Sequence, residues 1–487
     1  MKLEALLHGL DGLEEYSIKG NADKEIGHLT LDNRECVKGS LFFAIRGLET
    51  DGHKYIAGAL KNGAEAAVVE EFTQDNITQI KVPDSRRAMS LMAAAFYGNP
   101  ARGMSFLGVT GTNGKTSITF MLRHALNKTG ASVGLIGTSG IYINGEKQNI
   151  SIKTSTTPDP IELQYILRKM RDRGVKSVVM EVTAQALYLR KVEGILFDVG
   201  IFTNLTQDHL EFFGDMQTYA AAKLKLFEPG RCKKTVVNID DETGRRAAAG
   251  AITYALDRDA DIMAKNIAYS GQGSAFDLVY NGRSYPASLK ISGRFSVYNA
   301  LAAFGALTAL GMKAEYALEC LAEFSGVPGR FETPDMQGRP YSVVIDYAHT
   351  PDGLENILKA VRAYHKGRVI TVFGCGGNRD TAKRPIMGGI AAQYSDFCVI
   401  TSDNPRYEEP EEIMRQIEKG LPDGFDNYKM LENRRSAILF AMENAQAGDM
   451  IIIAGKGDED YQEIGGVKHH FSDRETVASL LNENAHL

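Results

Sequence analysis

Phe106-Leu-Gly-Val-Thr-Gly-Thr-Asn-Gly-Lys-Thr-Ser117 is the stretch whose reading decides the fold. An apolar strand, Phe106 to Thr110, runs into a glycine loop, and a helix is expected from about Thr116 to Lys128. Strand, loop and helix in that order form the setting a phosphate-binding loop needs. Backbone N–H groups of the loop and of the helix N-terminus can face an anion. Lys115 can reach outer phosphates, and the Thr116 hydroxyl can ligate Mg²⁺. The strict pattern wants glycine at position 109, where this chain has Val109, flanked by Gly108 and Gly111. An ordinary glycine-rich turn is the plain alternative, and Gly114-Lys115-Thr116 argues against it.

Working outward, further strands are expected at Lys176 to Glu181, Phe197 to Thr203 and Thr235 to Ile239, with helical patterns between them. Such alternation implies a mainly parallel sheet covered on both faces. The last third repeats it, with strands at Ser342 to Ile345, Arg368 to Phe373, Asp396 to Thr401 and Asp449 to Ala454. Each runs into a polar, glycine- or proline-bearing loop, and open α/β sheets bind ligands at such carboxyl ends. The first hundred residues carry short β-type segments, Leu41 to Arg46 and Ala64 to Glu70, around helical stretches. Turn-rich links at Tyr97 to Gly103 and Gly326 to Arg330 separate the blocks. With 487 residues, 44% of them hydrophobic, the expectation is α/β with three domains: 1–98, 99–330 and 331–487.

Composition narrows the function classes. Lys and Arg total 55 against 61 Asp and Glu, so no basic surface for nucleic acid is expected. No apolar run approaches the ~20 residues of a membrane span, and Met1-Lys-Leu-Glu-Ala-Leu-Leu-His8 lacks a signal peptide's basic start and apolar run. Five scattered cysteines without a Cys-x-x-Cys pair indicate neither zinc nor disulfides. A reducing, cytoplasmic setting and a monomer without membrane insertion are expected.

Thr110-Gly-Thr-Asn-Gly-Lys-Thr116 resembles the ATP site of the Mur ligase family. The resemblance implies an N-terminal UDP-binding α/β domain, a central P-loop parallel-sheet ATPase domain and a C-terminal Rossmann-like domain that binds the amino acid. It implies ATP contacts from Gly111, Thr112, Asn113, Gly114, Lys115, Thr116 and Ser117. Asn299 matches an asparagine near the adenine, and Arg330 one near the γ-phosphate. Asp346, in Asp346-Tyr-Ala-His-Thr-Pro-Asp352, matches a carboxylate that meets ATP. Glu181, at a strand end, and His209, in Thr203-Asn-Leu-Thr-Gln-Asp-His209, match the metal site with Thr116. Taken alone, either residue reads as a solvated or structural group. Lys223 matches a lysine that CO₂ carbamylates, because family lysines lie four residues before Phe227; this favours it over Lys225. A carbamate would replace an ammonium by an anion and make Lys223 a fourth metal-site residue. Lys115, Glu181, His209, Lys223 and Asp346 form the implied catalytic set.

In the N-terminal block, Leu31-Asp-Asn-Arg and Gly47-Leu-Glu-Thr-Asp-Gly-His resemble a uridine-nucleotide site. Leu31, Asn33, Leu48, Glu49 and Thr50 would line it, with Asn33 where the family has Ser. Thr156 and Thr157 match a loop that meets the muramoyl peptide. Glu181-Val-Thr-Ala-Gln-Ala-Leu keeps a hydroxyl at Thr183 but departs at Ala184 and Gln185, and Lys191 stands for a family arginine. In the last block, Asp403-Asn404-Pro405-Arg406 marks diaminopimelate-adding members, whereas lysine-adding members lack the arginine. The chemistry agrees, since a guanidinium can grip the distal carboxylate that lysine lacks. Arg379 is a second candidate arginine, and Gly455 and Glu459 offer a carbonyl and a carboxylate for the distal ammonium. Asp458 stands where the family has His.

An amide does not form from a carboxylate and an amine at neutral pH without activation, and ATP can supply it through an acyl phosphate. The resemblance therefore implies ATP- and Mg²⁺-dependent addition of meso-diaminopimelate to UDP-N-acetylmuramoyl-L-alanyl-D-glutamate in peptidoglycan synthesis. The departures leave open a paralogue that adds L-lysine or another amino acid, or uses another acceptor. A non-catalytic nucleotide sensor is the alternative of another class. Folylpolyglutamate synthetase and a P-loop kinase fit the N-terminal and C-terminal motifs less well.

Overall fold

The computed structural model describes residues 1–10, 15–47, 50–150, 152–154 and 156–483. By Cα proximity they group into two compact units. The first holds Met1–Thr110, Thr129–Gly200 and Ala222–Lys234, and the second holds Gly111–Lys128, Ile201–Ala221 and Thr235–Leu487.

In the first unit, the N-terminal block forms a five-stranded sheet ordered Ser17–Lys19, Thr78–Lys81, Ala64–Val69, Ser40–Phe43, His28–Thr30. All neighbours are parallel except the first pair. Alternate side chains enter two cores, as period-two geometry requires. Leu41, Phe43, Ala66 and Val68 pack with Met89 and Met92 of the helix Ser85–Phe96. Phe42, Ala67 and Val69 pack with Ile56 and Ala59 of the helix Ile56–Lys61. Burial on both faces explains why these strands read as continuous apolar runs.

The same unit carries the parallel strands Val133–Gly137, Ser177–Glu181 and Ser105–Thr110. Val133–Gly137 also pairs antiparallel with Gly140–Ile143, which pairs with Glu146–Lys147. The helix Pro160–Asp172 begins with Pro at its first position, and the Glu162 carboxylate accepts the Asp159 N–H at 3.4 Å. Its Leu163, Ile166, Leu167 and Met170 pack against Ile136, Val178 and Met180.

In the second unit, the helix Lys115–Lys128 packs on Arg294–Ala309. Val236 to Asn238 pair parallel with the strand Ile252–Ala255, which pairs parallel with Ile262–Ser270. At this edge the expected parallel pairing gives way to antiparallel strands. Ile262–Ser270, Gly273–Tyr280 and Arg283–Leu289 form an antiparallel meander, with many positions on its outer face exposed. Its second turn is Asn281-Gly282 at φ 48° and 71°, the left-handed pair that a tight hairpin turn uses.

The C-terminal block is a five-stranded, all-parallel sheet ordered Ser342–Asp346, Met450–Ala454, Val369–Phe373, Phe397–Thr401, Tyr428–Leu431. Helices Pro351–Tyr364, Lys383–Tyr394 and Pro410–Glu418 pack on one face, and Arg434–Glu443 and Asp473–Glu483 on the other. No described helix is long and apolar enough to cross a membrane, and the five cysteines form no disulfide among the described residues.

Candidate functional site

The phosphate-type loop is shaped by its glycines and by hydrogen bonds to its own peptide groups. Gly111 and Gly114 have φ of 143° and 89°, and a side chain at Gly111 would collide with Thr203. The Thr203 hydroxyl donates to the Asn113 carbonyl at 2.6 Å, and the Asn113 N–H donates to Asn204 Oδ1 at 2.9 Å. The Lys115 ammonium folds back over the loop, donating to the carbonyls of Gly111 (3.0 Å) and Thr112 (2.8 Å). An anion in the loop would offer this ammonium a stronger partner than those carbonyls. Asn299 sits so close to Gly114 that a side chain at 114 would strike its Oδ1. Thr116 is buried at the start of the helix, and Arg330 Nη2 donates to its hydroxyl at 3.4 Å.

Arg330 lies over the Tyr347 ring, 4.1 Å from its centroid, and its Nε is buried without a hydrogen-bond partner among the described residues. Asp346 is next to Tyr347; its carboxylate accepts the N–H groups of Phe331 (2.7 Å) and Ala348 (2.8 Å). Burial pushes the Asp346 carboxyl up, against the pull of Arg330 and those two N–H groups. The structure thus brings Lys115, Thr116, Asn299, Arg330 and Asp346 into one neighbourhood of the second unit.

His209 has a left-handed backbone (φ 55°) and precedes the short helix Leu210–Phe213. Its ring lies between Asp208 (Nε2 to Oδ2, 3.5 Å) and Glu211 (Nδ1 to Oε1, 3.7 Å). Burial opposes ionisation of Asp208, but His209, His349, Lys383 and Lys115 outweigh it and hold the carboxyl below its usual range.

In the first unit, Glu181 is 1% exposed at its strand end. Its oxygens accept the Thr138 N–H (2.9 Å) and hydroxyl (3.1 Å). Thr156 Oγ1 lies 3.0 Å from Thr138 Oγ1, and the Thr157 hydroxyl donates to the Glu181 carbonyl at 3.0 Å. Thr183 caps the helix Ala184–Tyr188 by accepting the Ala186 N–H at 3.1 Å. Lys191 is buried against Asp159 at 2.7 Å. Lys223, on the helix Met216–Leu224, is 1% exposed rather than a surface lysine. Leu31 is exposed, and Asn33 opens a short 3₁₀ turn whose carbonyl accepts Asn62 Nδ2 at 2.9 Å. Thr50 Oγ1 lies 3.1 Å from the Tyr55 hydroxyl, while Leu48 and Glu49 lie outside the described residues.

The third gathering is at the carboxyl ends of the C-terminal sheet. Arg406 takes φ 54°, its N–H donating to the Glu463 carbonyl at 3.0 Å. Its guanidinium reaches the Gly377 carbonyl at 2.8 Å and Glu463 Oε2 at 3.3 Å. Asp403, Asn404 and Pro405 are buried beside Gly455, whose φ of 121° brings the chain within reach of the Asp403 carboxylate. Asn404 Nδ2 donates to Glu459 Oε2 at 3.0 Å. Arg379 is exposed and lines a cavity with Leu210, Glu211, Asn378, Asp380 and Thr381.

Sequence reasoning missed four residues that the structure places among these. Besides Asp208, they are Asp352, which accepts from Asn113 Nδ2 at 2.5 Å and from the Thr206 hydroxyl at 3.4 Å; Lys383, which donates to the His349 carbonyl at 2.8 Å; and Lys456, fully buried beside Asn404. Asp208, Asp352 and Lys456 each stand inside or beside a motif already singled out, so adjacency was the available signal.

Three family models match in chain order. They are the Mur ligase family catalytic domain (residues 25–97), the Mur ligase middle domain (109–307) and the Mur ligase glutamate ligase domain (329–457). Proteins of Clostridium botulinum and Clostridioides difficile named UDP-N-acetylmuramoyl-L-alanyl-D-glutamate--2,6-diaminopimelate ligase are 42% and 44% identical to it, each alignment covering 99% of this chain and 100% of the relative. A solved structure of a ligase of that name superposes with a TM-score of 0.71 at 29% identity, covering 100% of both chains. Identity at that level along nearly the whole length, over an ordered set of three domains, means that the chain belongs to the Mur ligase family.

Proposed function

We propose that the protein is an ATP-dependent amide ligase that adds meso-diaminopimelate to UDP-N-acetylmuramoyl-L-alanyl-D-glutamate in peptidoglycan synthesis. Residues 1–98 take the uridine nucleotide, 99–330 take ATP, and 331–487 take the amino acid; the order of the three matched models supports this division. The observation that carries the amino-acid part is Arg406, held by Gly377 and Glu463 at the carboxyl ends of the C-terminal sheet. Its guanidinium suits the distal carboxylate, and Glu459 and the Gly455 carbonyl suit the distal ammonium.

The glutamyl carboxylate attacks the γ-phosphorus, ADP leaves, and an acyl phosphate forms. The diaminopimelate amine then attacks the acyl carbon, phosphate leaves, and the amine's proton passes to solvent or a nearby base. Catalysis of such a step is mainly positioning and charge neutralisation. Lys115 and Arg330 neutralise the transferring phosphoryl group, Asn299 lies at the adenine end, and Asp346 meets ATP from the C-terminal block.

Hard oxygen donors suit Mg²⁺, and the Thr116 hydroxyl and Glu181 carboxylate are such donors. Among the described residues no three or more His, Cys, Asp or Glu gather to hold a metal. ATP oxygens and water would therefore complete the shell, with His209 as a ligand or close neighbour. Mg²⁺ would supply charge neutralisation at the phosphates. Lys223 as a carbamate would add a second anionic oxygen donor, and its burial fits a modified rather than a solvated lysine. Thr156, Thr157, Thr183 and Lys191 belong on this reading to the muramoyl-peptide side, and Leu31, Asn33, Leu48, Glu49 and Thr50 to the uridine side. Monomeric operation in the cytoplasm is part of the same reading.

A lysine-adding paralogue is the second reading, favoured by the Glu463 carboxylate 3.3 Å from Arg406, which could accept a terminal ammonium. Phosphate release measured with ATP, Mg²⁺ and the UDP-muramoyl dipeptide separates the two. Stimulation by meso-diaminopimelate and not by L-lysine is expected; the reverse pattern would establish the second reading.

A further inference from the structure

At the ends of Phe397–Thr401 and Met450–Ala454, five ionisable groups share one volume: Asp403, Arg434, Lys456, Glu459 and Asp473. Arg434 and Asp473 are both buried and pair through two bonds of 2.7 Å, while Arg434 Nη2 also reaches the Ala454 carbonyl at 3.0 Å. Lys456 has no exposed surface. Its ammonium donates to Asn404 Oδ1 at 3.0 Å and to Glu459 Oε2 at 3.4 Å, and lies 4.0 Å from Asp403 Oδ1. Asn404 Oδ1 also accepts the Glu463 N–H at 3.0 Å. Two donors on Oδ1 fix which way the Asn404 amide points, so its Nδ2 must face Glu459. Asp403 Oδ2, in contrast, is buried with no hydrogen-bond partner among the described residues. A buried acceptor left unmade is a place for a ligand donor.

We propose that Lys456 is a positioning residue of the amino-acid site: its buried ammonium sets the orientation of the Asn404 amide and of the Glu459 carboxylate, and through them the grip on the amino acid's ammonium. This rests on the reading of the C-terminal pocket as the diaminopimelate site. Arg434 is paired with Asp473, whereas the Lys456 ammonium lies within 4.0 Å of both Asp403 and Glu459. The groups facing Glu459 are Asp403, Lys456, Arg434, Tyr347, Tyr461 and the Asn404 amide. Burial and then Asp403 push the Glu459 carboxyl up, and Lys456 and Asn404 hold it back. For Asp403, burial is outweighed by Lys456 and Arg434, which keep its carboxyl low. Without the ammonium, Glu459 takes up its proton at a higher pH and no longer attracts a cation.

The test uses the full chain carrying Lys456→Met and Lys456→Arg, with a thermal melt of each. In Lys456→Met the KM for diaminopimelate should rise about tenfold, as loss of one charge-assisted contact implies, while the KM for ATP and for the UDP-dipeptide stays within about twofold. The acidic limb of kcat/KM for diaminopimelate should move to higher pH, and Lys456→Arg, which keeps the charge, should return it toward the wild-type position. If Lys456→Met does not melt cooperatively, Lys456→Gln, which keeps a donor to Asn404 but no charge, must show the same KM split and the same limb shift. A fall in melting temperature with an unchanged diaminopimelate KM and an unmoved limb would overturn the inference. A wild-type protein that does not respond to diaminopimelate would instead overturn the reading of the pocket.

Discussion

In the loop Gly111–Ser117, each bond that sets the shape has a peptide group of the loop at one end: Thr203 to the Asn113 carbonyl, the Asn113 N–H to Asn204, and Lys115 to its own loop carbonyls. In the pocket at the ends of the C-terminal strands, buried charges do that work. Arg434 meets Asp473 from 39 residues away, and Lys456 meets Asn404 from 52 residues away. A loop held by peptide groups can lose one side chain and keep its form. A pocket held by buried charges loses its balance when one of them goes, because the partner is left uncompensated. Substitutions in the loop should therefore cost activity, and substitutions in the pocket should cost stability as well.

The largest effect should come from Lys115→Ala. Amino-acid-stimulated phosphate release should fall about 10³-fold, the scale of a lost transition-state donor, with the melting temperature nearly unchanged. Equal losses of activity and stability would break the contrast. Next, Asp473→Ala leaves Arg434 buried and unpaired, and should lower unfolding free energy in urea by about 3 kcal/mol or more. A wild-type-like midpoint would show that the pocket is not held by its charges.

His349 lies between the two regions, with Nδ1 2.9 Å from the Tyr347 carbonyl. Burial, helped by Lys383, pushes its pKa down from 6.5 to about 4. The unfolded chain then binds a proton that the folded one refuses, so stability present above pH 6.5 is lost as the pH falls toward 4. Between pH 7 and 5 this amounts to about 2 kcal/mol. His349→Gln should flatten that part of the urea-unfolding profile, and an unchanged slope would remove His349 as its cause. The smallest effect should be Thr183→Ala, which removes a helix cap and should cost about 1 kcal/mol of stability. The KM for the UDP-dipeptide should rise with it, as the place of Thr183 on the muramoyl-peptide side implies, and an unchanged stability would remove Thr183 as a cap.

The same contrast explains what could be read from the sequence. The phosphate loop is contiguous, so spacing alone identified Lys115 and Thr116, and the parallel strands announced themselves as apolar runs. The meander at Ile262–Leu289 was missed although Asn281-Gly282 is a hairpin signal, because its outer strands alternate exposed and half-buried positions and read as polar chain. Asn144-Gly145 and Gly465-Gly466 carry the same pair of positive φ values at two further hairpins. Adjacency to Gly455 pointed at Lys456, but nothing local distinguishes a lysine buried against Asn404 from one in solvent. Lys191 and Lys223 teach the same lesson: their burial is a property of the tertiary structure that the residue type does not announce.

The most direct test of the account is the product itself. Purified protein incubated with ATP, Mg²⁺, UDP-N-acetylmuramoyl-L-alanyl-D-glutamate and meso-diaminopimelate should yield a nucleotide heavier by one diaminopimelyl residue in the mass spectrum, with one phosphate released per product. Phosphate release without that product, or a lysyl product formed in preference when both amino acids are supplied, would contradict it.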